Sequence, residues 1–587
     1  MKVYKFGNIY LNTQSRQVIK NGKPIVLTPK TFDVLQFLVE NHGKIVTKDE
    51  LLGKVWEGNF VEESNLAVHI SKLRNLLVSN KTEPLIETVP GSGYRFVAIV
   101  QTAELEDWER HSNPANNSSL VISSEQEFSD SIAVLPLKNE AGDEETEYLA
   151  DGLTESIINN LTYIPNLKVI ARNSVFRYKN KDIVIKEIGE KLGVSKVLTG
   201  RIRAFRDDLI VSIELVNAAN DSQIWGFQFN QPFSDIIKIQ EEIISAVSEK
   251  LRSEVNQVIN KSINNPITEN TESYRLYLKG KYFLNKATEP SIYKAIECFE
   301  KSVSYDPLNV YSYVEMIESF RLLYIWDYIT YDETLTKIKP LLSITKNLNQ
   351  SIAEVQVILG AIKETLEWKF EEAETHFRKA LMLNPNCVTV RYRYLILLTD
   401  LGKFSEALKE ANKLITLDPI STNSYRHIGR MFYKMGQFTN AIKYLREILD
   451  LEPDDYISLA ILGATLTELG EYEEALIILK KSLEIQFNLD VLSFVGYTYA
   501  LSNMPNKAQQ IIDQIKSQFQ NKHHISLKLA IIYLGLGEKE TAFELLEKAL
   551  EEHDIDLAAL KSDPRMKTLH NDQKFKGLLS KIGLPED

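Results

Sequence analysis

The chain carries two cysteines in 587 residues, Cys298 and Cys387, and no apolar run near the roughly 18 residues that a membrane helix needs. Two thiols cannot form a disulfide framework, so a reducing compartment is expected. The opening stretch MKVYKFGNIYLN lacks the apolar core of a secretion signal. There is no HExxH and no pair of CxxC motifs, and Gly91-Ser92-Gly93 has no strand–loop–helix setting of a dinucleotide site. His523 and His524 are adjacent. Helix neighbours point about 100° apart, so a shared ion is disfavoured and a solvent-facing or capping role is expected. Cys298 reads as a small thiol in a helix core and Cys387 as a loop residue. These absences direct the reading to a cytoplasmic protein with no membrane span, no metal, no cofactor and no catalytic residues.

What is present is ordinary in bulk and uneven in distribution. The apolar share of 44% and charged share of 25% suit a soluble globular protein, and the length calls for several domains. Residues 1–100 hold 13 Lys+Arg against 9 Asp+Glu, or +4, which leaves −16 for the remainder of a chain of net charge −12. A basic head on an acidic body points to an anionic partner for the head alone.

In that head, residues 3–27 alternate polar and apolar around Asn21-Gly22 and read as short antiparallel strands. Thr28-Pro29 opens a helix that His42-Gly43 ends. Thr47-Lys48-Asp49-Glu50 is a capping box for a second helix through Trp56. A third helix is written ESNLAVHISKLRNLL, residues 63–77. Leu66, Ile70, Leu73 and Leu77 form its buried stripe. The rest of its surface offers Ser64, Asn65, Val68, His69, Ser71, Lys72, Arg74 and Asn75, with no acid after Glu63. LIETVPGSGYRFVAI then reads as a hairpin. Strands, three helices and a closing hairpin make an α+β winged helix-turn-helix, which places its third helix in the major groove and its hairpin on flanking backbone.

Beyond 98, residues 99–129 are rich in Ser, Asn and Glu and read as a flexible linker. Residues 130–255 follow a β-α-β-α-β-β-β-α order, a small α/β domain, with helices at about 144–163, 182–192 and 234–254 and LKVIARNS as a strand. A second linker covers 256–270. From 271 to 587 a 34-residue step recurs. It links Pro385, Pro419 and Pro453; Gly402, Gly436 and Gly470; and Ala373, Ala407, Ala441 and Ala475. That period is the tetratricopeptide signature of an all-α solenoid, here seven or eight helix pairs with a diverged repeat over 310–370. Tyr274, Tyr277, Trp326, Trp368, Tyr392 and Tyr394 read mostly as repeat cores.

The stretch LTPKTFDVLQFLVENHGKIVTKDELLGKVW, with VHISKLRNLL and IETVPGSGYRF, closely resembles the DNA-binding domain of bacterial OmpR/PhoB-type transcription factors over residues 1–98. The runs IAVLPL, ADGLTESIINNL, VIARNSVFRYK and IGEKLGVSKVLTGRIR resemble the N-terminal domain of TolB-like proteins. With no receiver read before the winged helix and no membrane span after it, the arrangement is similar to HilA-like regulators rather than CadC- or ToxR-like ones. The resemblance implies double-stranded promoter DNA as partner, contacted by Ser64, Asn65, Val68, His69, Ser71, Lys72 and Arg74 of the third helix. It adds Thr88 and Tyr94 of the wing and Trp56 of the second helix as phosphate contacts. Arg95 joins on electrostatic grounds alone.

Where several relatives carry arginine, this chain has Ser64, Ser71 and Pro90. Fewer cations imply a shallower salt dependence and a greater need for pairing on DNA, hence a homodimer. The loop 57–62, with the acids Glu57 and Glu62, implies a contact to RNA polymerase or a plain solvated loop. The solenoid is expected to take a protein or peptide partner. Signal reception would then fall to the TolB-like and tetratricopeptide body, without receiver phosphorylation. Two alternatives stand beside this reading. One is an interaction scaffold whose head no longer binds DNA, with His69 simply packed against its own domain. The other is an enzyme, since some nucleotide cyclases resemble this body, although the metal-binding aspartate pair of a cyclase head is missing.

Overall fold

The computed structural model describes residues 3–6, 9–13, 17–20, 23–25, 29–55, 66, 69–70, 73–74, 85–89, 92–98, 100–103, 130–164, 166–181, 184–205, 208–251, 267–519, 522 and 524–585. They fall into two compact units, Met1–Ile122 and Ser123–Asp587.

In the head, β1 (Val3–Phe6), β2 (Ile9–Asn12), β3 (Gln17–Lys20) and β4 (Lys23–Ile25) form the expected antiparallel meander. The helices α1 (Pro29–Glu40) and α2 (Lys48–Val55) flank β5 (Ile45–Thr47). Between them Gly43 takes a φ of 79°, the left-handed geometry that ends a helix. The capping box is formed: Thr47 N–H donates to Glu50 Oε2 at 2.8 Å, and Glu50 N–H donates back to Thr47 Oγ1 at 3.2 Å. Thr47 N–H and Thr47 Oγ1, which donates to the same Oε2 at 2.9 Å, hold the Glu50 carboxyl below its ordinary value.

The wing is β6 (Ile86–Val89) with β7 (Gly93–Phe96), and β7 also pairs with β5. At Gly93 a Cβ would lie 2.1 Å from the Val46 carbonyl oxygen, so only glycine permits that approach. The core beneath is mainly apolar, with Phe6 edge-on to Phe96 at 5.0 Å.

A fifth strand, β8 (Gln101–Ala103), joins the first sheet against β1, inside the stretch read as linker. Gln101 and Thr102 are exposed, and the pairing uses only the main chain. A strand of that kind leaves no hydrophobic pattern to read.

In the body, β9 (Asp130–Val134), β11 (Leu167–Val169) and β12 (Lys196–Phe205) run parallel, while β12, β13 (Asp208–Asn217) and β14 (Gln223–Pro232) run antiparallel, in the order β11-β9-β12-β13-β14. A two-residue strand, β10 (Lys138–Asn139), lies beside β12. Helices Glu144–Leu161, Ile185–Leu192 and Ile236–Leu251 match the expected order. LKVIARNS is not one strand, however. After Val169 the chain leaves the sheet and coils into a short helix, Arg172–Val175. Its N–H groups find partners in the solenoid instead: Ala171 donates to Leu417 O at 2.9 Å, and Ser174 N–H and Oγ donate to Asp418 Oδ1 at 3.1 and 2.7 Å.

Eight helix pairs follow, from Thr271–Leu284 with Glu289–Tyr305 to Ser526–Gly535 with Lys539–Glu551. The periodic alanines Ala373, Ala407, Ala441 and Ala475 are fully buried where paired helices touch. The periodic glycines Gly402, Gly436 and Gly470 take φ of 72°, 71° and 83° at the turn between the helices of a pair. In the diverged region the second helix, Tyr331–Leu348, is lengthened to 18 residues with Pro340 inside.

The α/β sheet and the solenoid share one core. Tyr274, Tyr277 and Phe299 pack with Leu153, Ile157 and Ile239, so these tyrosines serve the joint between the two rather than a repeat core alone. Polar ties reinforce it: Arg177–Glu452 at 2.5 Å, Tyr163 Oη to Glu354 at 3.2 Å, and Asn384 Nδ2 to Thr162 Oγ1 at 2.8 Å.

The solenoid also closes on itself. His553 stacks on Trp368 with ring centroids 3.8 Å apart, and its Nε2 lies 3.0 Å from Leu366 O. Tyr324 Oη donates to His553 O at 2.6 Å, and Lys522 Nζ donates to Asp327 O at 2.6 Å. Trp368 occupies the glycine step of the repeat with a φ of 51°, and His553 has a φ of 55°. The left-handed turn at Trp368 is the one that Gly402, Gly436 and Gly470 adopt at the same step, here carried by a large side chain at some conformational cost.

Three expectations change. His524 is buried, edge-on to Tyr324 at 5.6 Å and near Asp327 and Asp554, not solvent-facing. Cys387 stands at the start of helix Val388–Asp400, where burial pushes its thiol up to about 11. Trp326 is more than a third exposed and is no core residue. Among the described residues no helix is long and apolar enough to cross a membrane.

Candidate nucleic-acid interface

The third helix of the head is described at Leu66, His69, Ile70, Leu73 and Arg74. Leu66, Ile70 and Leu73 are at most 1% exposed, which fixes the helix on the apolar core by one stripe. Two polar residues at the margins then set its angle. His69 Nδ1 lies 2.8 Å from Thr31 Oγ1 of α1, and Thr31 is itself fully buried. Arg74 Nε donates to Ile86 O at 2.9 Å, and its Nη2 donates to Thr88 Oγ1 at 2.7 Å. The guanidinium therefore straps the helix to the first strand of the wing.

Thr88 is exposed and stands opposite Tyr94 in the hairpin register. Tyr94 is buried in the head core. Its neighbour Arg95 faces the other side, where Glu87 approaches to 3.9 Å; both side chains are well exposed, so this pair is weak. Arg95 Nε is buried without a hydrogen bond among the described residues.

Three of the predicted contacts are thus brought together, Arg74, Thr88 and Tyr94, at the junction of helix and wing. His69 is turned to α1, and Arg95 shares its charge with Glu87. Trp56, Ser64, Asn65, Val68, Ser71 and Lys72 lie outside the described residues, as does the loop 57–62. Residues that the sequence reading did not single out are the partners: Thr31, Ile86 and Glu87. Only Glu87 left a trace in the sequence, as the residue across the hairpin from Arg95.

Residues 22–96 match the family described as "Transcriptional regulatory protein, C terminal". The head is an OmpR/PhoB-type winged helix. This winged helix is 40% identical over 91 residues to the phosphate regulon transcriptional regulatory protein PhoB of Pseudomonas aeruginosa, a match covering 15% of this chain and 39% of that one. A longer similarity joins head and body: the transcriptional regulator HilA of Salmonella typhi is 25% identical over 429 residues, 71% of each chain. A putative adenylate cyclase 3 of Rhizobium meliloti is 26% identical over 254 residues, 43% of this chain and 40% of that one. In the solenoid, residues 526–554 match a tetratricopeptide repeat family, and residues 400–482 match the family of anaphase-promoting complex, cyclosome, subunit 3.

Proposed function

We propose that the chain is a cytoplasmic, sequence-specific transcriptional regulator, not an enzyme. In this reading the winged helix docks on promoter DNA and the α/β–solenoid body receives the signal, without receiver phosphorylation. The supporting observation is the pinned third helix: an apolar stripe on the core, with Arg74 joining it to the wing. A helix and a hairpin held at one angle can meet a groove and its flanking phosphates together. Ser64, Asn65, Val68, Ser71 and Lys72 are assigned to the groove on the strength of the family pattern, with Trp56, Thr88 and Tyr94 on phosphate. Arg74 acts chiefly as a strap in this assignment. Homodimer formation through the body and a polymerase contact at 57–62 complete the proposal.

The test is an anisotropy titration of the full chain on fragments of its own upstream region across a salt series. A specific fragment is expected to bind at least about 10³-fold more tightly than random duplex. Lys72→Ala is expected to lower the slope of log K against log salt by about 0.9 if Lys72 meets a phosphate. Equal affinity for all duplexes at every salt concentration would defeat the specific reading and favour the scaffold.

A further inference from the structure

The two edges of the body sheet differ. One, β11, is three residues long, and the chain leaves it at once for the solenoid. The other, β14, runs for ten residues and bonds only to β13; among the described residues no main chain pairs with its outer side. Its register with β13 is regular from Trp225 to Pro232. Proteins usually blunt an edge of that length with charged side chains, lysine above all. The strand QIWGFQFNQP carries none, and its proline stands at the last position.

The apolar side of β14 is also incompletely covered. Trp225, Phe227 and Phe229 stand opposite Leu215, Ile213 and Val211, which are fully buried on the core side of β13. Phe229 is buried with them, and helix Ile236–Leu251 packs against the strand. Phe227 faces the same way, yet it is 55% exposed. Its ring lies nearly parallel to Trp225 at 6.5 Å and edge-on to Phe229 at 4.8 Å. The core therefore runs past its cover, as a row of three rings at the rim of the sheet. On the other side Gln228 Oε1 accepts from Ser212 Oγ at 3.3 Å, so the strand keeps one apolar and one polar face up to its open edge.

We propose that two copies of the chain pair edge to edge along β14, antiparallel, so that one sheet runs through both bodies. The strand itself selects a second copy as its occupant. An interface with a two-fold axis must be complementary to itself. Trp225, Phe227 and Phe229 are aromatic symmetrically about Phe227, so an antiparallel pair centred there sets Trp225 against the partner's Phe229 and Phe227 against the partner's Phe227. Aromatic residues directly opposite one another stabilise such a pair, whereas like charges would break it. Charge favours the same strand: the chain beyond residue 100 carries −16, so two bodies repel least along an element with no charge. The pairing gives the interface of the homodimer proposed above and rests on that reading; it does not depend on DNA.

The experiment is sedimentation of the full chain without DNA, from nanomolar to tens of micromolar. A reversible monomer–dimer equilibrium is expected, weakened at least about tenfold by Phe227→Lys, which sets two ammonium groups opposite each other on the axis. Phe227 is more than half exposed, so the variant should keep the circular dichroism and melting temperature of the monomer. Cross-linking provides the second readout. Phe227→Cys places two thiols across the axis, close enough for a reducible disulfide between copies, whereas Gln231→Cys, away from the axis, should stay unlinked. A chain that is monomeric at every concentration overturns the proposal and leaves the edge to a strand of another protein. So do a dimer undiminished by Phe227→Lys and cross-linking as efficient from Gln231→Cys as from Phe227→Cys. Promoter binding is judged separately, by the anisotropy titration, and survives any of these failures.

Discussion

Head and body place their charges in opposite ways. Among its described residues the head buries no charged side chain and holds its cations at the margin, where Arg74 and Arg95 meet the wing. The body buries ionic networks inside. Lys281 lies between Glu155 at 3.3 Å and Glu315 at 2.8 Å, and Arg172 reaches Glu155 at 3.0 Å. The contrast follows from their neighbours. A small domain with one stripe to bury per helix can spend its polar residues on an external partner. A solenoid wrapped onto a sheet covers its own inner face, so the polar residues there must satisfy one another.

Four substitutions sharpen or break that contrast. The largest effect is expected from Lys281→Met, which leaves Glu155 and Glu315 facing each other without their shared cation. Allowing for partial exposure, the loss is about 2–4 kcal/mol, read as a lowered urea midpoint of the body. An unchanged midpoint would mean that the network contributes nothing net.

Glu364 comes next. Burial and the Asp400 carboxylate push its carboxyl up to about 7, against the opposing guanidiniums of Arg393, Arg321 and Arg430. The folded state therefore holds a proton that the unfolded state releases near pH 4.3, so stability declines as pH rises from about 4.3 to 7. Glu364→Gln should remove up to about 3 kcal/mol of that decline. Parallel stability–pH curves for variant and wild type would refute the shift.

In the head, Arg74→Ala is expected to cost about 1–3 kcal/mol and to weaken binding to every duplex alike, because the helix–wing angle is released. A loss restricted to one base position would instead make Arg74 a base reader. The smallest effect is assigned to Thr47→Ala, about 1 kcal/mol from the broken capping box, seen as a lower melting temperature of residues 1–122. That fragment retains β8; a cut at residue 100 would strip the sheet edge and confuse the comparison.

The sequence made the repeating and the apolar parts of this architecture legible. Period 34 placed the helix pairs, and Leu66, Ile70 and Leu73 placed the third helix, because burial imposes a pattern on every turn. The capping box was readable for the same reason, as a local bond between Thr47 and Glu50. Contacts made once, over long separations, left no such trace. Nothing near Arg74 tells that it turns back to Ile86 and Thr88 rather than outward. Ala171 and Ser174 leave their strand for Leu417 and Asp418, some 245 residues away, a pairing that no local propensity encodes. The burial of Glu364 was equally invisible, since an acid on a helix reads as solvated until its surroundings are known.

The meeting of Trp368 with His553 turns an open-ended array into a hoop. An open stack of repeats can gain or lose a unit at either end and frays from its tips inward. Here the end of the eighth pair is clasped to the second and third, so adding one 34-residue unit between them would force the clasp apart. The repeat number of this chain is thereby fixed by geometry, and its terminal helices should resist hydrogen exchange as strongly as those in the middle.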